Sequence, residues 1–273
     1  MPLTVGTDRK STKSPSPSRR TQRSGVFSLL DDVHAQAGLE GPWHPQPPVV
    51  LLVAAVSLAL LNFLSTAPVL AWLLARDETS LPMESTSAFW VGCRLLCYAL
   101  IPCATLAALG HNPLDFGLRV RGVSRHVRLY FMLALVMLPI VVSVSFIPAF
   151  QRYYPFHDYA GQSVRGLLLW EGLYAVQFIT LEYFYRGFLL FSLERYLGAY
   201  AIFVMVIPYC MVHFGKPFAE TLAAIPAGVV LGALALRTRS IWPGAALHIA
   251  VGWSMDLLSL WHRGALSNLW SKG

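Results

Sequence analysis

The chain has 273 residues, 55% of them hydrophobic and 13% charged, with a mean hydropathy of +0.53, whereas a soluble domain carries about 25% charged residues. Apolar runs of about 20 residues, without apolar–polar alternation, predict an all-α polytopic transmembrane helical bundle of about seven spans and exclude a membrane β-barrel. The net charge of +7 implies no nucleic-acid partner, because six of the 21 Lys and Arg residues fall in the first 23 positions and many others in short loops, the pattern of cytoplasmic positive charge that orients membrane proteins.

Residues 1–25 are rich in Ser, Thr, Pro, Lys and Arg without apolar periodicity, which predicts a disordered tail and not a cleaved signal peptide. A short surface helix is predicted over 26–40, ended by the prolines of 41–48. The first span runs over about 49–74, with Pro68 as the place for a bend, and the second over about 88–109, containing Arg94 and Pro102. A basic loop holding Arg119, Arg121, Arg125 and Arg128 leads to a third span, about 129–150. The loop 151–166 is rich in aromatics, as suits the headgroup layer. A fourth span over 167–191 is predicted to continue as helix to Tyr196. The fifth covers about 199–214, the sixth 218–236 and the seventh 241–261. The four cysteines, Cys93, Cys97, Cys103 and Cys210, read as small buried apolar residues. With the N-terminus inside, inner segments hold 13 Lys and Arg and outer segments six, which favours an N-inside, C-outside arrangement.

Several polar residues do not belong in lipid. Glu182 and Arg186 stand four apart in the fourth span, on one helical face, where each neutralises the other. His213 closes the fifth span and His248 lies in the seventh, with Asp256 two turns further along the same face. Glu220 opens the sixth span, where it either complements a helix dipole or takes part in chemistry. Glu171, three turns before Glu182, reads as an interfacial residue. A lone membrane histidine is commonly a packing hydrogen bond. Two histidines and a glutamate from three helices can instead activate water and stabilise an oxyanion, or bind a divalent metal. Rise per residue sets Glu182 and His213 roughly 10 Å apart in depth, unless the fourth span is centred near Glu182 or the fifth is short and tilted. Gly228 and Gly232 read as a close helix contact.

Glu182-Tyr-Phe-Tyr-Arg186-Gly187, Tyr209-Cys-Met-Val-His213 and the run from Thr238 to His248 resemble the three motifs of the CPBP family of intramembrane proteases, which includes CAAX prenyl endopeptidases and bacteriocin-processing and self-immunity (Abi) proteins. The resemblance covers about 165–261, with a weaker likeness at 112–119. It implies catalytic roles for Glu182, Arg186, His213 and His248. Three departures stand out. The family's first glutamate, usually assigned as the base, falls on Leu181, and adjacent helical residues point about 100° apart. Tyr209 replaces a phenylalanine. Gly252 replaces an asparagine whose amide would hold the oxyanion. Glu220 and Asp256 are the candidates to support the site in their place.

The resemblance divides the chain into a basic tail with a short surface segment (1–45), N-terminal membrane helices (46–164), a protease-like core (165–261) and a short tail (262–273). The expected function is an intramembrane endopeptidase in which a glutamate, Glu182 or Glu220, activates water and the two histidines bind the oxyanion. The alternatives are a non-catalytic membrane homologue that serves as scaffold or binding protein, and a metal-dependent variant. No cofactor is expected, a divalent metal being the unfavoured option. The expected partners are a membrane-anchored peptide or protein substrate and the lipid bilayer. The expected location is a bacterial inner membrane with a cytoplasmic N-terminus.

Overall fold

A computed structural model describes residues 30, 32–34, 36–37, 44–120 and 123–269. The predicted tail 1–25, most of the predicted surface helix 26–40 and Arg121 lie outside the described residues. The chain divides into a unit over Met1–Pro45 and a unit over Gln46–Gly273. In the first, Leu30, Asp32, Val33, His34 and Gln36 are helical.

The second unit is all helical among its described residues. In chain order it contains α1 (Gln46–Leu64), α2 (Ala67–Leu74), α3 (Met83–Ala108), α4 (Val127–Ser145), α5 (Pro148–Tyr153), α6 (Val164–Glu182), a π-helical segment (Tyr183–Leu190), α7 (Phe191–Leu197), α8 (Tyr200–Met211), α9 (Phe218–Thr238), α10 (Trp242–His262) and α11 (Ala265–Asn268). Four of these, α1, α3, α4 and α9, are long and apolar enough to cross a membrane. Their outward faces are apolar: Leu52 and Phe63 of α1 are 66% and 71% exposed. In an integral membrane protein these faces meet acyl chains. Glu182, Arg186, His248 and Asp256 sit on other helices, whereas Arg94 lies on α3 and Glu220 opens α9.

The predicted first span breaks in two at Ser65–Thr66, just before Pro68, which takes the first turn of α2 where its missing N–H costs nothing. The third span ends at Ser145 and restarts at Pro148 as the separate α5. The fourth span is continuous with α7, as predicted, but through the π-helical segment. Every residue of that segment is buried, and Leu181, Phe184, Tyr185, Phe188, Leu189 and Leu190 form the heart of the main apolar core with α1, α3 and α8. Gly228 and Gly232 let α9 lie against α8, since a Cβ at either would come within 2.9–3.0 Å of Tyr209 or Met205. Cys97 is buried while Cys93, Cys103 and Cys210 are half-buried, and all four are free thiols.

The loop after α3 fixes where α10 begins. Gly117, with φ +88°, gives its carbonyl to Ile241 N–H at 3.1 Å, and Leu118 O accepts from Trp242 Nε1 at 2.8 Å. Gly187 allows this loop to cross the π-helical segment, where a Cβ would stand 2.6 Å from Phe116 O. One loop thus clamps α10 onto the central helix, which sets the height of His248 relative to Glu182.

The loop 151–166 packs inward. The His157 ring lies 4.6 Å from that of Trp170, centroid to centroid, and burial pushes its pKa down to about 4, opposed by Asp158 and aided by the positive charge of Arg94. The unfolded chain binds a proton on this side chain below about pH 6.5, while the folded chain resists it until about pH 4. Stability is therefore expected to fall as pH drops through that window and to be unaffected above it. Thermal unfolding at pH 7, 5.5 and 4.5 checks this: His157→Phe is expected to flatten the slope relative to the parent, and equal slopes would contradict it.

Candidate active site

Glu182 closes α6 and Arg186 lies one turn on, in the π-helical segment. Arg186 Nη1 is 3.1 Å from Glu182 Oε1, and the two side chains are 0% and 1% exposed. None of the guanidinium nitrogens makes a well-directed hydrogen bond within the protein, so the contact is an ion pair by distance. The guanidinium carbon stands 4.1 Å from the Tyr209 ring centre, adding a cation–π contact.

His248 completes the centre from α10. Gly244, one turn earlier, lets the backbone come close to the carboxylate: a Cβ there would stand 2.7 Å from Glu182 Oε2. His248 Nδ1 then meets Glu182 Oε1 at 2.6 Å, and its Nε2 meets the Tyr209 hydroxyl at 2.9 Å. A carboxylate accepts only, so Nδ1 carries the proton, and in the neutral ring Nε2 accepts from Tyr209 O–H. The Phe178 ring stacks on the imidazole at 5.3 Å and 5° and fixes its plane. The side chain of His248 is 17% exposed against 1% for Glu182, so the histidine is the accessible end of the pair.

His213 approaches from the end of α8. Its ring lies 4.9 Å from that of Tyr209, and Nδ1 is 2.9 Å from the Tyr209 carbonyl. A carbonyl also accepts only, so Nδ1–H is the donor and Nε2 of the neutral ring is left as a lone pair. His213 is linked to Glu182 through Tyr209, whose carbonyl takes the His213 Nδ1–H and whose hydroxyl meets His248.

The two supporting candidates have partners of their own. Glu220 is held by Lys216 at 2.7 Å and by the Tyr154 hydroxyl, which donates at 2.7 and 2.8 Å, so it is occupied by partners of its own. Asp256 accepts from Trp170 Nε1 at 2.7 Å. A stack of aromatic rings along α6, from Trp170 to Tyr174 at 4.9 Å and from Tyr174 to Phe178 at 4.3 Å, separates it from His248. Asp256 therefore does not take the place of an asparagine at 252. Glu171 is 8% exposed, and neither carboxylate oxygen has a hydrogen-bond partner within the protein.

Two of the three departures from the motif pattern, Leu181 and Gly252, have a structural counterpart in the core packing. Leu181 faces the main apolar core, away from the face that carries the ion pair. At Gly252 a Cβ would stand 2.6 Å from Phe178 Cε2 and 3.1 Å from Tyr174, so aromatic rings fill the space an asparagine would need. Leu181→Glu is accordingly expected to cost about 3 kcal/mol or more, the penalty of a buried unpartnered carboxyl, and to restore no chemistry. Gly252→Asn is expected to cost about 1–3 kcal/mol through overpacking. Thermal unfolding in detergent checks both. A variant as stable as the parent would show that the core accommodates the motif residue.

Tyr209 and Phe178 are the participants that the sequence did not single out. Tyr209 stood as a mild replacement for phenylalanine, yet its hydroxyl, ring and carbonyl touch His248, Arg186 and His213 in turn. The signal available was the hydroxyl itself, since a buried tyrosine hydroxyl commonly finds a partner.

Among the described residues no three His, Cys, Asp or Glu side chains stand together as a metal-binding set. Glu182 and His248 supply two such donors, short of the three protein ligands of a catalytic zinc site. No curated protein and no solved structure matches the chain. Residues 163–254 match the family model described as type II CAAX prenyl endopeptidase, Rce1-like. This segment, about a third of the chain, carries the Glu182–Arg186 pair, Tyr209, His213 and His248, and over it the chain is similar to CAAX-type endopeptidases.

Proposed function

We propose that the protein is an intramembrane endopeptidase of the CAAX-protease type, with Glu182, His248, Tyr209 and His213 as its reacting centre. The observation that carries this reading is the direct contact from Glu182 Oε1 to His248 Nδ1 to the Tyr209 hydroxyl. Glu182 orients the imidazole and stabilises the charge it acquires. Arg186 keeps the glutamate ionised in an apolar interior. Water displaces the Tyr209 hydroxyl from His248 Nε2 and attacks the scissile carbonyl carbon, its proton passing to Nε2. The released Tyr209 O–H donates to the oxyanion. The His213 Nε2 lone pair accepts the water's second hydrogen and aims the attack. When the intermediate collapses, the C–N bond breaks, the Nε2 proton passes to the leaving nitrogen, and the Tyr209 hydroxyl returns to His248.

This scheme moves the proton-accepting atom from Glu182 to His248, because the carboxylate is enclosed while the imidazole is accessible. The substrate class is a peptide near a membrane anchor, with a prenylated C-terminal sequence as the first to test in view of the family match. The chain reconstituted in vesicles is expected to cleave such a peptide and to keep doing so in EDTA. Tyr209→Phe is expected to lose roughly 10²-fold in kcat, in the range of a lost oxyanion donor. Undiminished turnover by Tyr209→Phe, or loss of turnover in EDTA, would contradict the scheme. A second reading, a non-catalytic homologue, is favoured by the filled spaces at Leu181 and Gly252. It predicts binding of the same peptide with no turnover in the parent.

A further inference from the structure

A cavity of about 190 Å³ lies where the loop 151–166 meets the end of α10. Arg263, in its wall, caps that helix, about 22 Å along the axis from His248. Pro155, Leu260 and Ala265 give the cavity apolar walls, and Asp158, Gln162 and Arg263 bring polar groups to it. Loop and helix are tied together around it. The Tyr154 carbonyl accepts from Ser259 Oγ at 2.5 Å and from Arg263 Nη2 at 2.7 Å. The short helical turn Asp158–Gly161 rests on α10 through Gly161, where a Cβ would stand 3.1 Å from Leu260 Cδ2.

The cavity sits at the edge of the apolar layer. Ser145, the last residue of α4, meets His262 Nε2 through its hydroxyl at 2.9 Å, so Arg263 stands at the level where α4 ends. Trp261 is 62% exposed, the placement of an interfacial aromatic anchor.

Arg263 and Asp158 bring opposite charges to one cavity, yet among the described residues no ion pair engages either of them. The guanidinium gives one Nη2 hydrogen to Tyr154 and a long bond of 3.4 Å from Nε to the Ser259 carbonyl. Both hydrogens of Nη1 and the second of Nη2 are left for a ligand. A simple anion on Arg263 meets repulsion from Asp158, and a simple cation on Asp158 meets repulsion from Arg263. A ligand with a phosphate at one end and an ammonium at the other satisfies both. A quaternary ammonium is held by aromatic faces, and none of the lining residues is aromatic. A primary ammonium instead donates to a carboxylate. The volume exceeds the roughly 150 Å³ of a cavity that holds benzene, and exposed Leu257 and Trp261 on α10 offer an apolar track for acyl chains.

From this juxtaposition we propose that the cavity binds the phosphoethanolamine headgroup of a membrane lipid, with its phosphate on Arg263 and its ammonium on Asp158. The site stands apart from the reacting centre and does not depend on the endopeptidase reading. Arg263 also holds the Tyr154 carbonyl, and the Tyr154 hydroxyl donates to Glu220 at the start of α9. The bound headgroup therefore stabilises the junction of α10, the loop and α9.

The test uses the full chain in detergent with dioleoyl phosphatidylethanolamine, phosphatidylcholine and phosphatidylglycerol, so that only the headgroup differs. Native mass spectrometry reads binding, and the midpoint of thermal unfolding reads stabilisation. Phosphatidylethanolamine is expected to bind about tenfold more tightly than either other lipid, in the range of one charge-assisted hydrogen bond, and to raise the midpoint most. Asp158→Asn is expected to bring the ratio of ethanolamine to choline lipid near one. Arg263→Gln is expected to weaken binding of all three. Because Arg263→Gln also releases the Tyr154 carbonyl, the decisive variant is Asp158→Asn, at an exposed carboxylate. Equal binding of the ethanolamine and choline lipids by the parent overturns the proposal, as does an unchanged ratio in Asp158→Asn. Tightest binding of phosphatidylglycerol makes the cavity a plain anion site and also overturns it. Free phosphoethanolamine that binds as tightly as the lipid makes a soluble molecule the occupant and overturns the lipid assignment.

Discussion

Arg186→Met is expected to cost about 3–5 kcal/mol of folding stability, the range for breaking a buried ion pair by removing one partner. Glu182 and Arg186 are 1% and 0% exposed. Without Arg186 the carboxylate keeps the His248 Nδ1–H as its hydrogen-bond donor, but its charge has no positive partner in an apolar interior. The cost then appears either as unfolding or as uptake of a proton. The double variant Glu182→Gln/Arg186→Met is expected to recover most of the loss, because two neutral side chains of similar volume leave no charge to compensate. Thermal unfolding of the three proteins in one detergent measures both effects. A double variant no more stable than Arg186→Met alone would mean that the pair is not held by mutual neutralisation.

The second large effect is on chemistry. His248→Ala is expected to lower kcat by about 10²–10⁴-fold, the contribution of a positioned acid–base group, with little change in KM, because in the proposed scheme the imidazole serves the reacting atoms and not the remainder of the substrate. The stability change is expected to be small beside that of Arg186→Met. The histidine is partly exposed, and Glu182 retains its arginine. A fall in kcat with an unchanged melting temperature separates a catalytic role from a structural one. A matching loss of stability would assign His248 to packing.

Much of the helical order was legible. The central helix was predicted to run past Arg186 to Tyr196, and it does so, because apolar content and the spacing of the charged pair are local properties. The break at Ser65–Thr66 stands just before Pro68, the place marked for a bend, whereas the third span was read unbroken through Pro148 and breaks at Phe146–Ile147. Three features were not legible. The π-helical segment depends on how its buried face meets α1, α3 and α8, and nothing in Tyr183–Leu190 announces it. The partners of Glu220 and Asp256 were not legible because helical phase gives a face but not a neighbour: Tyr154 and Trp170 reach these carboxylates from other elements. The meaning of Gly244 and Gly252 also depended on the partner helix. One glycine admits the Glu182 carboxylate and the other an aromatic stack, a distinction that composition and spacing do not carry.

The filled spaces at Leu181 and Gly252 bear on how the centre works. Where the motif pattern calls for a first glutamate and an asparagine, the chain has a core leucine and the edge of Phe178. In the proposed scheme the polar work falls to Glu182, His248, Tyr209 and His213, with the Phe178 ring stacked on the imidazole. Restoring the motif one residue at a time therefore disturbs packing before it adds chemistry.

The most direct test is hydrolysis of a membrane-anchored peptide library by the reconstituted chain in ¹⁸O-labelled water, read by mass spectrometry against His248→Ala. The account predicts products carrying one ¹⁸O in the newly formed carboxylate from the parent and a loss of at least a hundredfold in the variant. The same products at the same rate from both proteins would contradict it.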